Sequence, residues 1–385
     1  MRMAMIGPFG LHPNKTMESR ALGLARALVA RGHAVQIFMP PWQTPAEADR
    51  RWQVDGVLLR YVPLRGGVPG IVARLLHEVL AWQPDVVHSF KPKAYSGLAA
   101  WWLWQFYRER LWLVTDCDDW EGWGGWNNLA PYSPGQKLLF AWQERWGMTH
   151  AHALTVASRE LQRLAWSRGM AREQVVYLPN GAGIEEQQAK SERQKTKKPT
   201  LLLYSRLFEF DVGRLVRVLA GVKTAVPNLA ILSVGTGLYA NDAAQLQAQF
   251  AAAGLLDTVT DVGWVKVSKL PALLSTADVG IYLMEENMLN RTKCPVKLAD
   301  MIATGLPIVA EAVGQVPEYV MQGHNGLLRR SGDEAGLIAD LVYLLQNRGE
   351  RERMGGNGRA HYAAHFSWDK AAEHVEEYYE SSITS

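Results

Sequence analysis

The chain has 385 residues, 48% of them apolar and 21% charged, and a formal net charge of +3. That length exceeds one ordinary core and predicts two domains, and the composition excludes a disordered chain. The weak charge argues against a nucleic-acid partner, while two cysteines, Cys117 and Cys294, exclude a disulfide framework or a cysteine-rich metal site and suit a reducing cytosol.

The N-terminus, MRMAMIGPFG, reads as a strand, Met3 to Gly7, running into a glycine turn. It lacks the long apolar core and cleavage site of a signal peptide. Glu18 to Arg31 is amphipathic and closed by Gly32-His33, which predicts a helix with cations in its last turn. Strand two follows at Ala34 to Met39, so the chain opens as a strand, helix, strand unit with a right-handed crossover. Val57 to Val62 is a further strand, and Ile71 to Trp82 a helix leading into the buried strand Val86-Val87-His88-Ser89. Gly97 to Tyr107 is the longest apolar-looking run, and it is too short for a span of about 20 residues. Leu111 to Thr115 repeats the strand pattern and ends in Asp116-Cys117-Asp118-Asp119; Ala153 to Ala157 and Val175 to Leu178 complete this half.

Residues 185–199 contain no large apolar side chain and five Lys or Arg, the composition of a solvated linker. A second series starts at Leu201 to Tyr204 and runs through Ala230 to Val234, Val259 to Trp264 and Asp278 to Leu283. It ends in the stretch Asn290 to Glu318. There a loop carrying Thr292, Lys293 and Cys294-Pro295 precedes a helix with Leu298, Met301 and Ile302 on its buried stripe. Thr304-Gly305 closes that helix, and Ile308-Val309-Ala310 is a buried strand. The tail, Asp369 to Tyr379, is a capped helix that can pack back on the first domain.

Ligands of open parallel sheets bind beyond the carboxyl ends of the strands. Gly7-Pro8-Phe9-Gly10 is not the dinucleotide fingerprint, and Pro40-Pro41 stands where an acidic residue would end strand two, so hydride transfer is a poor reading. His88 with Lys91 and Lys93 either positions a substrate or caps a strand end. Asp116, Asp118 and Asp119 either form a site for hydroxyls, a metal or a catalytic proton, or a solvated loop. Arg206 directly follows a buried strand, where its planar fork suits a diphosphate. Lys297 and Asp300 share one edge of a helix start beside glycine turns, a place suited to a phosphorylated ligand.

These pieces resemble a family. Tyr204-Ser205-Arg206, Val234-Gly235-Thr236-Gly237, Val262-Gly263-Trp264-Val265, Lys297 to Ala310 and Val313 to Val320 are similar to the nucleotide-binding domain of GT-B glycosyltransferases, in the retaining family 4 group. Arg31-Gly32-His33-Ala34-Val35 matches the layout of the N-terminal domain. The resemblance implies an α/β fold of two Rossmann-like doubly wound domains facing a central cleft. These are an acceptor-side domain over 1–184, a linker over 185–199 and a donor domain over 200–365, with the helix 366–385 packing back on the first. It implies transfer from a nucleotide-diphosphate sugar, UDP- or GDP-linked, to a glycan or lipid-linked hydroxyl. Configuration is retained, no metal or cofactor takes part, and the location is cytoplasmic with peripheral membrane contact.

The roles it implies are catalytic for Arg206, Lys297, Asp118 and Asp119. Donor binding falls to Gly7, Ser205, Gly235, Gly237, Trp264, Val265, Thr292, Lys293 and Asp300, and the acceptor side to His88, Lys91 and Trp120. The chain departs from the family in having Thr292 and Asp300 where two glutamates are usual, and Asp211 near the place of a second lysine. Thirteen of the fifteen tryptophans, all but Trp264 and Trp368, lie before residue 167. They suit sugar rings or a membrane interface as well as a core. A GT-B-shaped epimerase and a non-catalytic sugar-nucleotide binder are the alternatives.

Overall fold

Buried apolar runs and amphipathic helices alternate along the chain and assemble into two sheets in the computed structural model, which describes residues 1–184, 198–235, 237 and 241–383. Most of the expected linker, 185–197, and Thr236 lie outside the described residues. The chain divides into two units. The first comprises Met1–Gly181, Thr292–Cys294 and Ser367–Ser385, and the second Ala182–Arg291 and Pro295–Phe366.

In the first unit the strands are β1 (Arg2–Ile6), β2 (Ala34–Met39), β3 (Arg51–Val54), β4 (Val57–Tyr61), β5 (Val86–Phe90), β6 (Trp112–Cys117), β7 (Ala153–Val156) and β8 (Val175–Tyr177). Their order is β3-β4-β2-β1-β5-β6-β7-β8. Every pairing is parallel except β3 with β4. That hairpin was not anticipated. Its signal is present in the sequence: Asp55-Gly56 sits between two short alternating runs, and both residues take positive φ (48° and 83°), as a tight hairpin turn requires.

The helices are α1 (Leu22–Ala30), α2 (Gly67–Ala81), α3 (Ala94–Tyr107), α4 (Trp126–Leu129), α5 (Pro134–Gly147) and α6 (Arg159–Ser167). Two of them begin where a side chain satisfies the open amides of the first turn. Ser133 forms a reciprocal capping box with Gln136, and Ser158 accepts from Leu161 N. The first helix is shorter than Glu18 to Arg31, because Met17–Ala21 forms a π-helical turn instead. That turn carries Arg20 into the interior.

One face of the sheet is covered by α1 and by the C-terminal helix Trp368–Ile383, whose Trp368, Ala372, Val375 and Tyr379 join the same core as Leu24, Leu28 and Ile37. Gly23 makes the approach possible, since a Cβ there would stand 2.6 Å from the Trp368 ring. Glu376 closes the contact with Arg31 and with His33 at 2.8 Å. The opposite face is covered by α2 and α3, through Leu75, Val79, Ala99 and Leu103.

The second unit holds β9 (Thr200–Tyr204), β10 (Ala230–Val234), β11 (Val259–Asp261), β12 (Val279–Tyr282), β13 (Ile308–Glu311) and β14 (Gly326–Arg329). They are ordered β11-β10-β9-β12-β13-β14, all parallel. The central strands are buried on both faces, as continuous apolar runs predict. Helices Val212–Ala225 and Glu334–Gln346 pack Leu215, Leu219, Leu337 and Leu341 against them. Asp211 caps the first of these helices by accepting from Arg214 N at 2.7 Å. Residues 290–292, read as loop, belong to a short helix, Met288–Thr292. Asn290 holds it by donating to the carbonyls of Glu209 (2.7 Å) and Glu285 (2.9 Å).

Candidate active site

Strand order locates the two places where a ligand belongs. In each sheet the winding reverses beside the first strand of its series: β1 lies between β2 and β5, and β9 between β10 and β12. The crevice opens beyond the carboxyl ends at such a switch point.

In the second unit that end carries Tyr204-Ser205-Arg206. Leu207 takes φ of 68°, which turns the chain sharply after β9. Ser205 is used locally: its hydroxyl accepts from Leu207 N at 2.9 Å and lies 3.2 Å from Glu209 Oε2. The half-buried Arg206 lies with its guanidinium 4.9 Å from the Phe208 ring.

Beside it, Gly235 ends β10 with φ of 69°, and its amide donates to Gly263 O at 2.7 Å. Gly237 also takes positive φ, 84°. Lys297 Nζ lies over this turn: a Cβ on Gly235 would stand 3.2 Å from it. The same ammonium is 4.6 Å from the Tyr204 ring and 5.8 Å from the ring of Trp264, which is 63% exposed. Val265, next to it, is half-buried. Gly235 and Lys297 therefore lie against Tyr204, with Arg206 two residues after it and Trp264 beside Lys297, a set from four separate segments.

Asp300 is placed differently from the resemblance. It is 2% exposed and already satisfied. Gly183 N (2.7 Å) and Ile184 N (3.2 Å) donate to one oxygen, and the Tyr204 hydroxyl donates to the other at 3.3 Å. Burial pushes its carboxyl up to about 6, against those amides, Tyr204 and Lys297, which favour the charged form. A carboxylate so enclosed ties the chain at 183–184 to its helix rather than standing open to a ribose. Thr292 and Lys293 are both buried and group with the first unit, where Thr292 O accepts from Ser158 Oγ at 2.7 Å.

The first unit resolves its polar residues into two buried networks. Arg20 donates bidentately to Asp116 (2.8 and 2.6 Å), and its remaining nitrogen donates to Leu178 O and Asn180 Oδ1. Thr155 gives its one proton to Asp116 Oδ2 at 2.6 Å, so it must accept from His88 Nε2 at 3.0 Å. Tyr379 then donates to His88 Nδ1 at 3.1 Å. Burial lowers the His88 pKa and keeps the ring neutral, in agreement with that proton order. Burial alone would raise Asp116, yet Arg20 and His88 hold it well below the usual range. His88, 1% exposed, is thus an interior link from β5 to the C-terminal helix, not a group presented to an acceptor.

The second network answers the acid cluster. Lys91 Nζ meets Asp118 at 2.8 Å, Asp119 at 3.3 Å and Glu121 at 2.8 Å. Lys93 pairs with Glu121 and donates to the Tyr132 hydroxyl at 2.7 Å. Burial raises Asp118 to about 6 against the pull of Lys91, whereas the two lysines overcome burial at Glu121 and hold it at about 2. Glu144 on α5 is wholly buried among them with neither oxygen hydrogen-bonded. Burial first, and Glu121 second, push its carboxyl well above the usual range. Asp119 is the member with most access to solvent. Trp120 folds inward, donating to Trp123 O at 2.7 Å under the Arg168 guanidinium. Gly7 closes β1 through its amide to Phe38 O at 3.0 Å.

Arg20 and Glu144 were missed from sequence. Arg20 sits in an amphipathic pattern that places it at the surface, and its partner lies 96 positions away.

Among the described residues, no three His, Cys, Asp or Glu side chains are grouped to hold a metal ion, and no helix is long and apolar enough to cross a membrane.

A glycosyl transferase 4-like domain matches residues 15–181, and the glycosyl transferases group 1 model matches residues 184–361. The chain belongs to the group 1 glycosyltransferases. It is 26% identical to a phosphatidyl-myo-inositol mannosyltransferase of Mycobacterium leprae over 397 aligned positions, covering 100% of this chain and 98% of the relative. It is 28% identical to a D-inositol 3-phosphate glycosyltransferase of Stackebrandtia nassauensis, covering 93% and 84%. Among solved structures, sucrose-phosphate synthase from Thermosynechococcus elongatus superposes with a TM-score of 0.73 at 19% identity, covering 99% and 98%. Anabaena HepE in complex with UDP and glucose gives 0.69 at 17%, covering 98% and 99%. The fold of this glycosyltransferase is GT-B.

Proposed function

We propose that this glycosyltransferase moves a sugar, with retention of configuration, from a UDP- or GDP-sugar to a hydroxyl of a glycan or lipid-linked acceptor in cell-surface synthesis. It works at the cytoplasmic face of a membrane and without a metal ion or other cofactor. The observation that carries the reading is the placement of Lys297 over the Gly235 turn, beside the end of β9 that bears Arg206. A departing diphosphate needs cations fixed in advance where its charge grows, and each such donor contributes about 3–4 kcal/mol. Trp264, exposed next to Lys297, supplies a face for the base or the sugar. The relatives named as a phosphatidyl-myo-inositol mannosyltransferase and a D-inositol 3-phosphate glycosyltransferase favour a polyol acceptor and a hexosyl donor. On the first unit, Asp119 is the carboxylate open enough to meet such a hydroxyl, with Lys91 3.3 Å away.

A thermal-shift panel of nucleotide sugars on the wild type and on Arg206→Ala tests this. A ligand at a hundred times its dissociation constant adds about 2.7 kcal/mol of stability. One UDP- or GDP-sugar is expected to shift the wild type and to leave the variant unmoved. No shift with any of them removes the donor assignment.

A further inference from the structure

Two helices of the first unit present apolar side chains that the core does not need. α3 reads AYSGLAAWWLWQFY, fourteen residues without a charge. A helix apolar all round belongs in a core or against another apolar medium. Yet Ser96, Gly97, Ala99, Ala100 and Leu103 alone are buried, while Trp102 is 42% and Phe106 60% exposed. On α5, Phe140, Gln143, Glu144 and Gly147 face inward, and Leu138 (66%), Leu139 and Trp142 (43%) face out. These two helices are adjacent: Gln143 brackets the backbone of Ala94, accepting from its N at 2.7 Å and donating to its O at 2.9 Å. Aromatic contacts also join the two helices, through Trp104. Trp142 stacks on Trp146, Trp146 on His150 at 4.5 Å, and His150 meets Trp104 of α3 edge-on.

The charges around this surface are mostly positive. Arg108 and Arg110 follow α3, and Lys137 and Arg145 lie on α5. Glu109, paired with Arg108 at 3.4 Å, is the single exposed carboxylate among these elements, since Glu144 is buried. Indole rings beside guanidinium groups, around exposed Leu and Phe, match the boundary between acyl chains and anionic headgroups. At about 1.5 Å per residue α3 spans roughly 21 Å, short of the ~30 Å of a bilayer core, so it suits lying along the surface.

We propose that the exposed faces of α3 and α5 form a docking surface for an anionic lipid membrane. This extends the membrane location proposed above by assigning it to a surface, and it stands or falls apart from the donor site in the second unit. Co-sedimentation of the full chain with phosphatidylcholine vesicles, with and without phosphatidylglycerol, is the test. Wild type is expected to pellet with phosphatidylglycerol vesicles and to release as salt is raised. Trp102→Glu with Trp142→Glu is expected to stay in the supernatant while keeping its far-UV spectrum and its nucleotide-sugar shift. Arg108→Ala with Arg145→Ala is expected to bind anionic vesicles ~10-fold or more weakly. A wild type that ignores both vesicles, or a Trp pair variant that binds as the wild type does, overturns the proposal. So does a wild type that sediments as a dimer where the Trp variant is a monomer, which would make the face a contact between two copies of the chain. Loss of the nucleotide-sugar shift with vesicle binding intact would instead count against the donor reading alone.

Discussion

Asp300→Asn isolates the most unusual charge in the second unit. In the folded chain burial raises this carboxyl from the ordinary 3.8 to about 6. The folded state therefore holds its proton more tightly than the unfolded state does. Between those two values the unfolded chain releases the proton and the folded chain keeps it, so stability falls as pH rises from about 4 to about 6 and then levels off. That difference corresponds to roughly 3 kcal/mol, at about 1.4 kcal/mol for each tenfold change in proton affinity. Asparagine keeps an acceptor for Gly183 and Ile184 and offers its amide to the Tyr204 oxygen, so it replaces the geometry without the titration. The assay is urea unfolding of both proteins followed by far-UV circular dichroism at several pH values from 4.5 to 7.5. Tryptophan emission would chiefly report the first unit, which holds all but Trp264. The variant is expected to gain on the wild type progressively, by about 2 kcal/mol across that window, because part of the full difference lies below pH 4.5. Two curves that stay parallel would show that the enclosure of Asp300 is wrong.

Other perturbations reach the remaining parts of the structure. Arg20→Met leaves Asp116 buried and unpaired, and is expected to destabilise by about 3–5 kcal/mol; adding Asp116→Asn should recover a measurable part of that in the same urea titration. Trp368→Ala removes the ring seated on Gly23 and is expected to cost about 3–5 kcal/mol, exposing the C-terminal helix to limited proteolysis before the rest of the chain. Gly235→Ala puts a left-handed residue under a side chain, at about 1–2 kcal/mol of strain. It should weaken donor binding, read by the thermal shift, more than it lowers the melting temperature of the free protein.

The GT-B fold was legible because its strands are short apolar runs with glycine or proline at their ends. β9, β10 and β13 fall within a residue or two of where Leu201, Ala230 and Ile308 announce them. What the reading missed needed information from elsewhere in the chain. β3 is short and polar and was passed over, although Asp55-Gly56 marks its turn. Asn290 is an unremarkable polar residue until the carbonyls of Glu209 and Glu285 arrive beside it, so nothing local marks Met288–Thr292 as helical. The grouping of Thr292–Cys294 with the first unit is set by Ser158 and Asn180, more than a hundred residues earlier.

Charge is where local reading strays furthest, and the reason is general. Burying an ion is so costly that a clustered set of carboxylates signals either a ligand or a matching cation, and sequence spacing cannot tell which. Around Asp116 to Asp119 the cations are Arg20 and Lys91, supplied by the π-helical turn and by the residue after β5. Most of that cluster is thereby neutralised from within, and only Asp119 keeps access to solvent. Lys297 stands in different surroundings. Its ammonium is directed onto a glycine turn and two aromatic rings, one of them widely exposed, at the switch point of its sheet. A cation held beside a glycine turn and aromatic rings at the switch point differs in its surroundings from Arg20 and Lys91 among carboxylates, and those surroundings, not the residue type, separate the candidate site from the core.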